Sequence, residues 1–138
     1  MKIAVIGAGA MGSIYASFLS KNNHEVLVID IWEEHLEAIK KDGLRVSGFS
    51  GDNIVKNINV SRNIEDAKGY ELFIIATKAS GVGSVASKLS KITNENSLIL
   101  TIQNGLGAGE RIAKYMPTNN ILLGVAQGFG AAMKGPGH

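Results

Sequence analysis

Cysteine is absent from the chain, which excludes a disulfide framework, a thiolate metal centre and a cysteine nucleophile, and is compatible with a reducing cytoplasm. No apolar run approaches the ~20 residues that a membrane span requires. The opening stretch MKIAVIGAGAMG has an apolar part too short and too rich in glycine for a signal peptide. Charge of one sign is also missing: 14 Lys and Arg stand scattered among 12 Asp and Glu, leaving a net charge of +2 and no basic stripe for a nucleic acid. There is no G-x-S-x-G, no internal repeat, no low-complexity tract and no linker. His24, His35 and His138 lack ligand spacing and cysteine partners, so no metal site is expected.

What is present suits one ordinary domain spanning 1–138, large enough to bury roughly two-thirds of its unfolded surface without a staple. Its expected partner is a small molecule, with neither nucleic acid nor membrane involved. A homodimer is admitted by the sequence but not read from it.

Apolar runs at 2–6, 25–30, 71–76, 97–102 and 120–126 read as strands buried on both faces. Between them Ala10 to Asn22, Trp32 to Asp42, Ser80 to Lys91 and Gly107 to Met116 carry apolar residues at helical spacing. Gly43 stands where a C-terminal cap belongs, and Pro117 where the last helix should stop. Strands alternating with helices predict a doubly wound α/β fold, a mostly parallel sheet with helices on both faces. RVSGFSGDNIVKNINVS, at 45–61, interrupts the rhythm and reads as a strand pair at one edge, with the register of 54–60 left open. Met11, Ile14 and Phe18 form a helical stripe expected in the core, while Ser13 and Ser17 are expected near a ligand or the surface. His24 is expected in a turn.

The chemistry begins at Gly7-Ala8-Gly9-Ala10-Met11-Gly12, directly after the first strand and opening the first helix. Gly7 permits the tight turn, Gly9 lets a pyrophosphate approach the backbone, and Gly12 allows close packing of helix on sheet. Unpaired N–H groups and the positive end of the helix dipole would hold the phosphates without a lysine. Asp30 closes the second strand near the distance expected for an acid that grips the adenosine ribose; an aspartate there can also cap the following helix, and the two roles need not exclude each other. Its charge would oppose a 2′-phosphate by roughly 1–4 kcal/mol at contact, and Ile31-Trp32-Glu33-Glu34 bring no neutralising cation. NADH is therefore expected over NADPH.

Two further residues sit at strand ends. Asn104, after the fourth apolar run, is either half of an Asn-Gly turn or a carboxamide facing the crevice. Lys78, after the third, is either a solvated helix-start lysine or a crevice residue.

The segments KIAVIGAGAMGS, TKA at 77–79, QNGLG at 103–107 and KGPGH at 134–138 together resemble ketopantoate reductase, or 2-dehydropantoate 2-reductase, over the whole chain. The resemblance implies a Rossmann-type dinucleotide-binding domain that serves hydride transfer from NAD(P)H to a 2-oxo acid, in the route to pantothenate and coenzyme A. It implies that Asn104 positions substrate and cofactor, and that Lys78 contacts the cofactor. NADPH is the family norm, and the family's basic residue after the second strand is replaced here by Ile31. The family also carries a second, helical domain that supplies a general-acid lysine and a substrate-binding glutamate. Neither lies within these 138 residues, so the chain is expected to be truncated and to turn over ketopantoate negligibly. Two alternatives stay open: a reductase of another 2-oxo acid, and a nucleotide-sensing domain of a potassium channel or transporter.

Overall fold

The computed structural model describes residues 1–49, 51–128 and 130–138. Its frame is a six-stranded sheet in the order β5-β2-β1-β6-β7-β8, formed by β1 (Lys2–Ile6), β2 (Glu25–Ile29), β5 (Ile58–Ser61), β6 (Leu72–Ile75), β7 (Leu98–Thr101) and β8 (Ile121–Leu123). All five pairings in it are parallel. The short strands are apolar throughout because both faces are covered. Ile3 and Val5 of β1 join one core cluster while Ala4 and Ile6 join the other, as the period of two demands.

Over the first face lie α1 (Ala10–Lys21) and α2 (Glu33–Asp42), and over the second α3 (Val82–Leu89) and α4 (Ala108–Ala113). Gly43 ends α2 at φ +91°, donating its N–H to Ile39 at 2.9 Å, as its position predicts. The last two helices are shorter than their patterns suggest. α3 is preceded by a 3-10 turn at Ala79–Gly81, and α4 stops at Ala113 before a second one at Thr118–Asn120.

The strand pair at 45–61 needs correction. β3 (Leu44–Gly48) and β4 (Gly51–Val55) form an antiparallel hairpin, but it is a separate sheet laid against α1, not an edge of the main one. Leu44 and Val55 are buried in the same cluster as Ala16 of α1, so the hairpin covers apolar surface that the helices leave open. Ser50, within that segment, lies outside the described residues. The edge position belongs to β5, which pairs in parallel with β2.

The stripe of Met11, Ile14 and Phe18 also fails as a core. The buried face of α1 is Gly12, Ser13, Ala16, Ser17 and Ser20, whereas Phe18 is 42% exposed and Met11 only packs at the margin of the cluster. The cause is close approach: a Cβ on Gly12 would lie 1.8 Å from the Gly7 carbonyl oxygen, so this helix meets the sheet through small residues. Ser13 and Ser17 are consequently interior. His24 follows the Asn22-Asn23 turn that ends α1, with Asn23 at φ +63°.

Candidate functional site

A parallel sheet puts the carboxyl ends of β2, β1, β6 and β7 side by side, and the chain reverses its direction of growth between β1 and β6. Crevices for ligands form at such a reversal. Along this rim the fold sets, in order, Asp30 after β2, Gly7 to Gly12 after β1, Thr77 and Lys78 after β6, and Gln103 and Asn104 after β7. Three strand spacings separate the ends of the row, about 14 Å. The residues singled out from the sequence thus share one edge of the molecule.

The glycine loop is shaped by contact on one side and openness on the other. Gly7 takes φ +97°, and a Cβ there would come within 2.8 Å of the Thr77 backbone nitrogen, so the β1 and β6 loops touch. At Gly9 a Cβ would meet nothing within 4 Å, and Gly9 is exposed. Gly9 also begins α1 without any side-chain cap, and the first turn carries no acid. The first helical bond is Ser13 N–H to the Gly9 carbonyl at 2.9 Å, which leaves the N–H groups of Ala10, Met11 and Gly12 without helical acceptors. Those amides and the helix dipole make this end of α1 receptive to an anion.

Asp30 is half-buried and held from two sides. One carboxylate oxygen accepts the Ala8 N–H at 2.5 Å, and the other accepts the Trp32 N–H at 2.9 Å. Asp30 is not the cap of α2, whose N-cap is Trp32; it closes the turn ahead of that helix while facing the glycine loop. A carboxylate has about four acceptor positions, so two N–H bonds orient it and still leave capacity for hydroxyl donors.

Lys78 and Asn104 are exposed, and among the described residues neither side chain has a hydrogen-bond or ion-pair partner. Asn104 stands in a loop whose glycines, Gly105 and Gly107, take φ +93° and +95°. The residue that builds this half of the rim is one that sequence reasoning passed over. The Gln103 amide donates to the carbonyls of Ile75 at 2.8 Å and Thr77 at 2.9 Å, while its oxygen accepts from the Thr101 hydroxyl. Gln103 thereby ties the end of β7 to the loop that carries Lys78. Thr77 Oγ1, between these loops, is the single buried side-chain polar atom without a partner among the described residues.

Two more groups were invisible to local reading. Arg62 follows β5, beside the end of β2, and pairs with Glu33 in the first turn of α2 at 3.2 Å. A cation absent from the stretch after Asp30 is thus supplied by the neighbouring strand, already neutralised. His35 is fully buried in the first turn of α2, stacked on Trp32 with ring centroids 5.0 Å apart, and burial lowers its pKa against the opposing pull of Asp30. No helix is long and apolar enough to cross a membrane, and among the described residues no group of three His, Cys, Asp or Glu could hold a metal.

Comparison with known proteins places this geometry among relatives. The family model described as ketopantoate reductase PanE/ApbA matches residues 3–138. The 2-dehydropantoate 2-reductase of Lactococcus lactis is 34% identical over 99% of this chain and 44% of its own length. Its counterpart in Halobacterium salinarum is 29% identical, over 99% and 45% respectively. Among solved structures, D-mandelate dehydrogenase with NADH and anilino(oxo)acetate superposes with a TM-score of 0.87 at 33% identity, covering 99% of this chain and 44% of that one. A PanE/ApbA family ketopantoate reductase from Ralstonia eutropha gives the same TM-score at 29% identity, covering 100% and 45%. The chain spans less than half the length of these relatives.

Proposed function

The chain belongs to the PanE/ApbA ketopantoate reductase family, and from that premise we propose that it is the dinucleotide-binding part of an NAD(P)-dependent 2-oxo acid reductase. One observation carries the proposal: the uncapped start of α1, open above Gly9, lies beside an Asp30 already oriented by the loop it would serve. On this reading the amides that follow Gly9 bind the pyrophosphate, with Ala8, Ala10 and Met11 lining the approach between Gly7 and Gly12. Asp30 accepts the adenosine ribose hydroxyls. When bound, the reduced nicotinamide supplies the hydride. Asn104 offers two donors and an acceptor for positioning nicotinamide ribose and substrate oxygen, and Lys78 adds a cation beside the same space.

Charge supports NADH over NADPH. Asp30, Glu33 and Glu34 surround the ribose end, and Arg62, the cation within reach, is occupied by Glu33. The likeness to a dehydrogenase solved with NADH points the same way. The substrate we propose is ketopantoate, reduced to pantoate in the cytoplasm. The similarity to D-mandelate dehydrogenase favours a second reading, in which the same hydride transfer serves another 2-oxo acid, one with an aromatic substituent.

The 138 residues form one unit that binds dinucleotide and on its own turns over 2-oxo acid negligibly. A positioned general acid is worth about 10²–10⁴-fold, and on this reading Asn104 and Lys78 serve positioning and cofactor binding in place of proton transfer. Isothermal titration with NADH and NADPH, then with ketopantoate and benzoylformate on the loaded chain, tests these points. Micromolar NADH uptake with weaker NADPH is expected; a chain that takes up neither dinucleotide refutes the reading, and brisk turnover refutes its last part.

A further inference from the structure

The motif KGPGH at 134–138 takes no part in the site as so far described, yet the fold holds it firmly. The Gly137 carbonyl accepts the Arg45 N–H at 2.8 Å, which lays the segment along the hairpin. His138 Nε2 lies 2.7 Å from Ser47 Oγ, and Lys134 Nζ donates to the same hydroxyl at 3.3 Å. Gly137 has φ +77°, and a Cβ on it would stand 3.0 Å from the Ala38 Cβ of α2, so the segment can come this close only as glycine.

At that point of approach the Gly137 N–H donates to His35 Nδ1 at 2.8 Å. A neutral imidazole whose Nδ1 accepts must carry its proton on Nε2. Nε2 faces Ser13 Oγ across 3.4 Å, and the Ser13 hydroxyl donates to the Ala8 carbonyl at 3.0 Å. The donors run one way, from Gly137 to His35 to Ser13 to Ala8. Since the Ala8 N–H is held by Asp30, the Ala8 residue is clamped at both its polar groups.

We propose that His35 is a positioning residue for the dinucleotide, transmitting the fixed place of the 134–138 segment through Ser13 to Ala8 and so holding the glycine loop in its binding shape. The inference rests on the cofactor reading above and adds a part to it. Doubly protonated, the ring would set Nδ1–H against the Gly137 N–H, donor against donor. Burial works against that form, and the charged group acting on the ring is Asp30, from the end of β2. α1 presents the neutral Ser13 hydroxyl. The C-terminal segment presents the Gly137 amide, its own titratable groups Lys134 and His138 being engaged by Ser47.

Ser13→Ala, His35→Phe and His35→Gln in the full 138-residue chain provide the test, read by amide NMR of Ala8 and Gly9 without ligand and by titration with NADH. Ser13→Ala and His35→Phe should shift both amide resonances and weaken NADH by about three- to tenfold, the worth of one hydrogen bond. His35→Gln, able to accept and donate, should recover most of that loss. NADH affinity of the unaltered chain should fall below the ordinary histidine range while that of His35→Gln stays flat. Unchanged amides and unchanged affinity in Ser13→Ala overturn the proposal, and that variant decides alone if His35→Phe does not fold. If the unaltered chain takes up no NADH, the cofactor reading fails, and the ligand-free amide shifts still decide the link.

Discussion

The two halves of the crevice rim are built differently. On the side of β1 and β2 the polar side chains are already engaged with the backbone of the loop: Asp30 holds Ala8 and Trp32, and Ser13 holds Ala8 from behind. On the side of β6 and β7 the outward side chains, Lys78 and Asn104, have no hydrogen-bond or ion-pair partner among the described residues, although Gln103 ties down the backbone beneath them. A loop that must meet a fixed diphosphate gains from being rigid before the ligand comes, because less ordering remains to be done on binding. On the proposed reading, side chains that would meet substrate and nicotinamide gain nothing from internal partners they would first have to release. Stability and recognition are thus separated along one edge of a single sheet.

Substitutions can sharpen that contrast. The largest effect is expected from Gly12→Ala, whose methyl would lie 1.8 Å from the Gly7 carbonyl. We expect a loss of about 3 kcal/mol or more, with NADH binding abolished, measured by denaturant unfolding and titration. Asp30→Ala comes next: it leaves two amides without their charged acceptor, so about 2 kcal/mol of stability and at least tenfold in NADH affinity should disappear together. On the other half, Gln103→Ala should cost about 1–2 kcal/mol by freeing the Ile75 and Thr77 carbonyls, while Asn104→Ala should shift the melting curve by less than about 0.5 kcal/mol. If Asn104→Ala proved as destabilising as Gln103→Ala, the division of labour would be wrong. The smallest change belongs to Glu33→Gln, which frees Arg62 and removes one negative charge near the ribose end. NADPH should gain about fivefold on NADH in titration, the worth of one solvent-exposed charge at contact.

Burial of His35 adds a dependence on pH. Its folded pKa lies below the ordinary value of 6.5, so its contribution is complete above that value and declines as the pH falls through it toward the folded one. Unfolding followed at stepwise lower pH should show this loss, and His35→Gln should remove it.

Much of the fold was legible in residue order. The five apolar runs are strands and the four periodic segments are helices, because a continuous apolar run reports a strand covered on both faces and a period of 3.6 a helix covered on one. The left-handed Gly7 and the glycine cap of α2 were legible for a related reason, since a positive φ demands glycine locally. The inner face of α1 was not, because close packing on the sheet selects small and even hydroxylated residues there, which hydrophobicity misreads as surface. The hairpin's position over α1 was hidden as well, its alternation being the same wherever it packs.

By itself, then, the chain's order of residues determined its backbone: the strands and helices, the glycine turn and an acid at the end of the second strand. Tertiary structure decided which distant polar groups meet, bringing Arg62 to Glu33, Gln103 to the β6 loop, and Gly137 through His35 and Ser13 to Ala8. The reason is physical. Conformational preference acts over a few neighbouring residues, whereas these contacts, the local Ser13–Ala8 bond aside, join positions between 22 and 102 residues apart and exist only once the order of strands has brought their ends together.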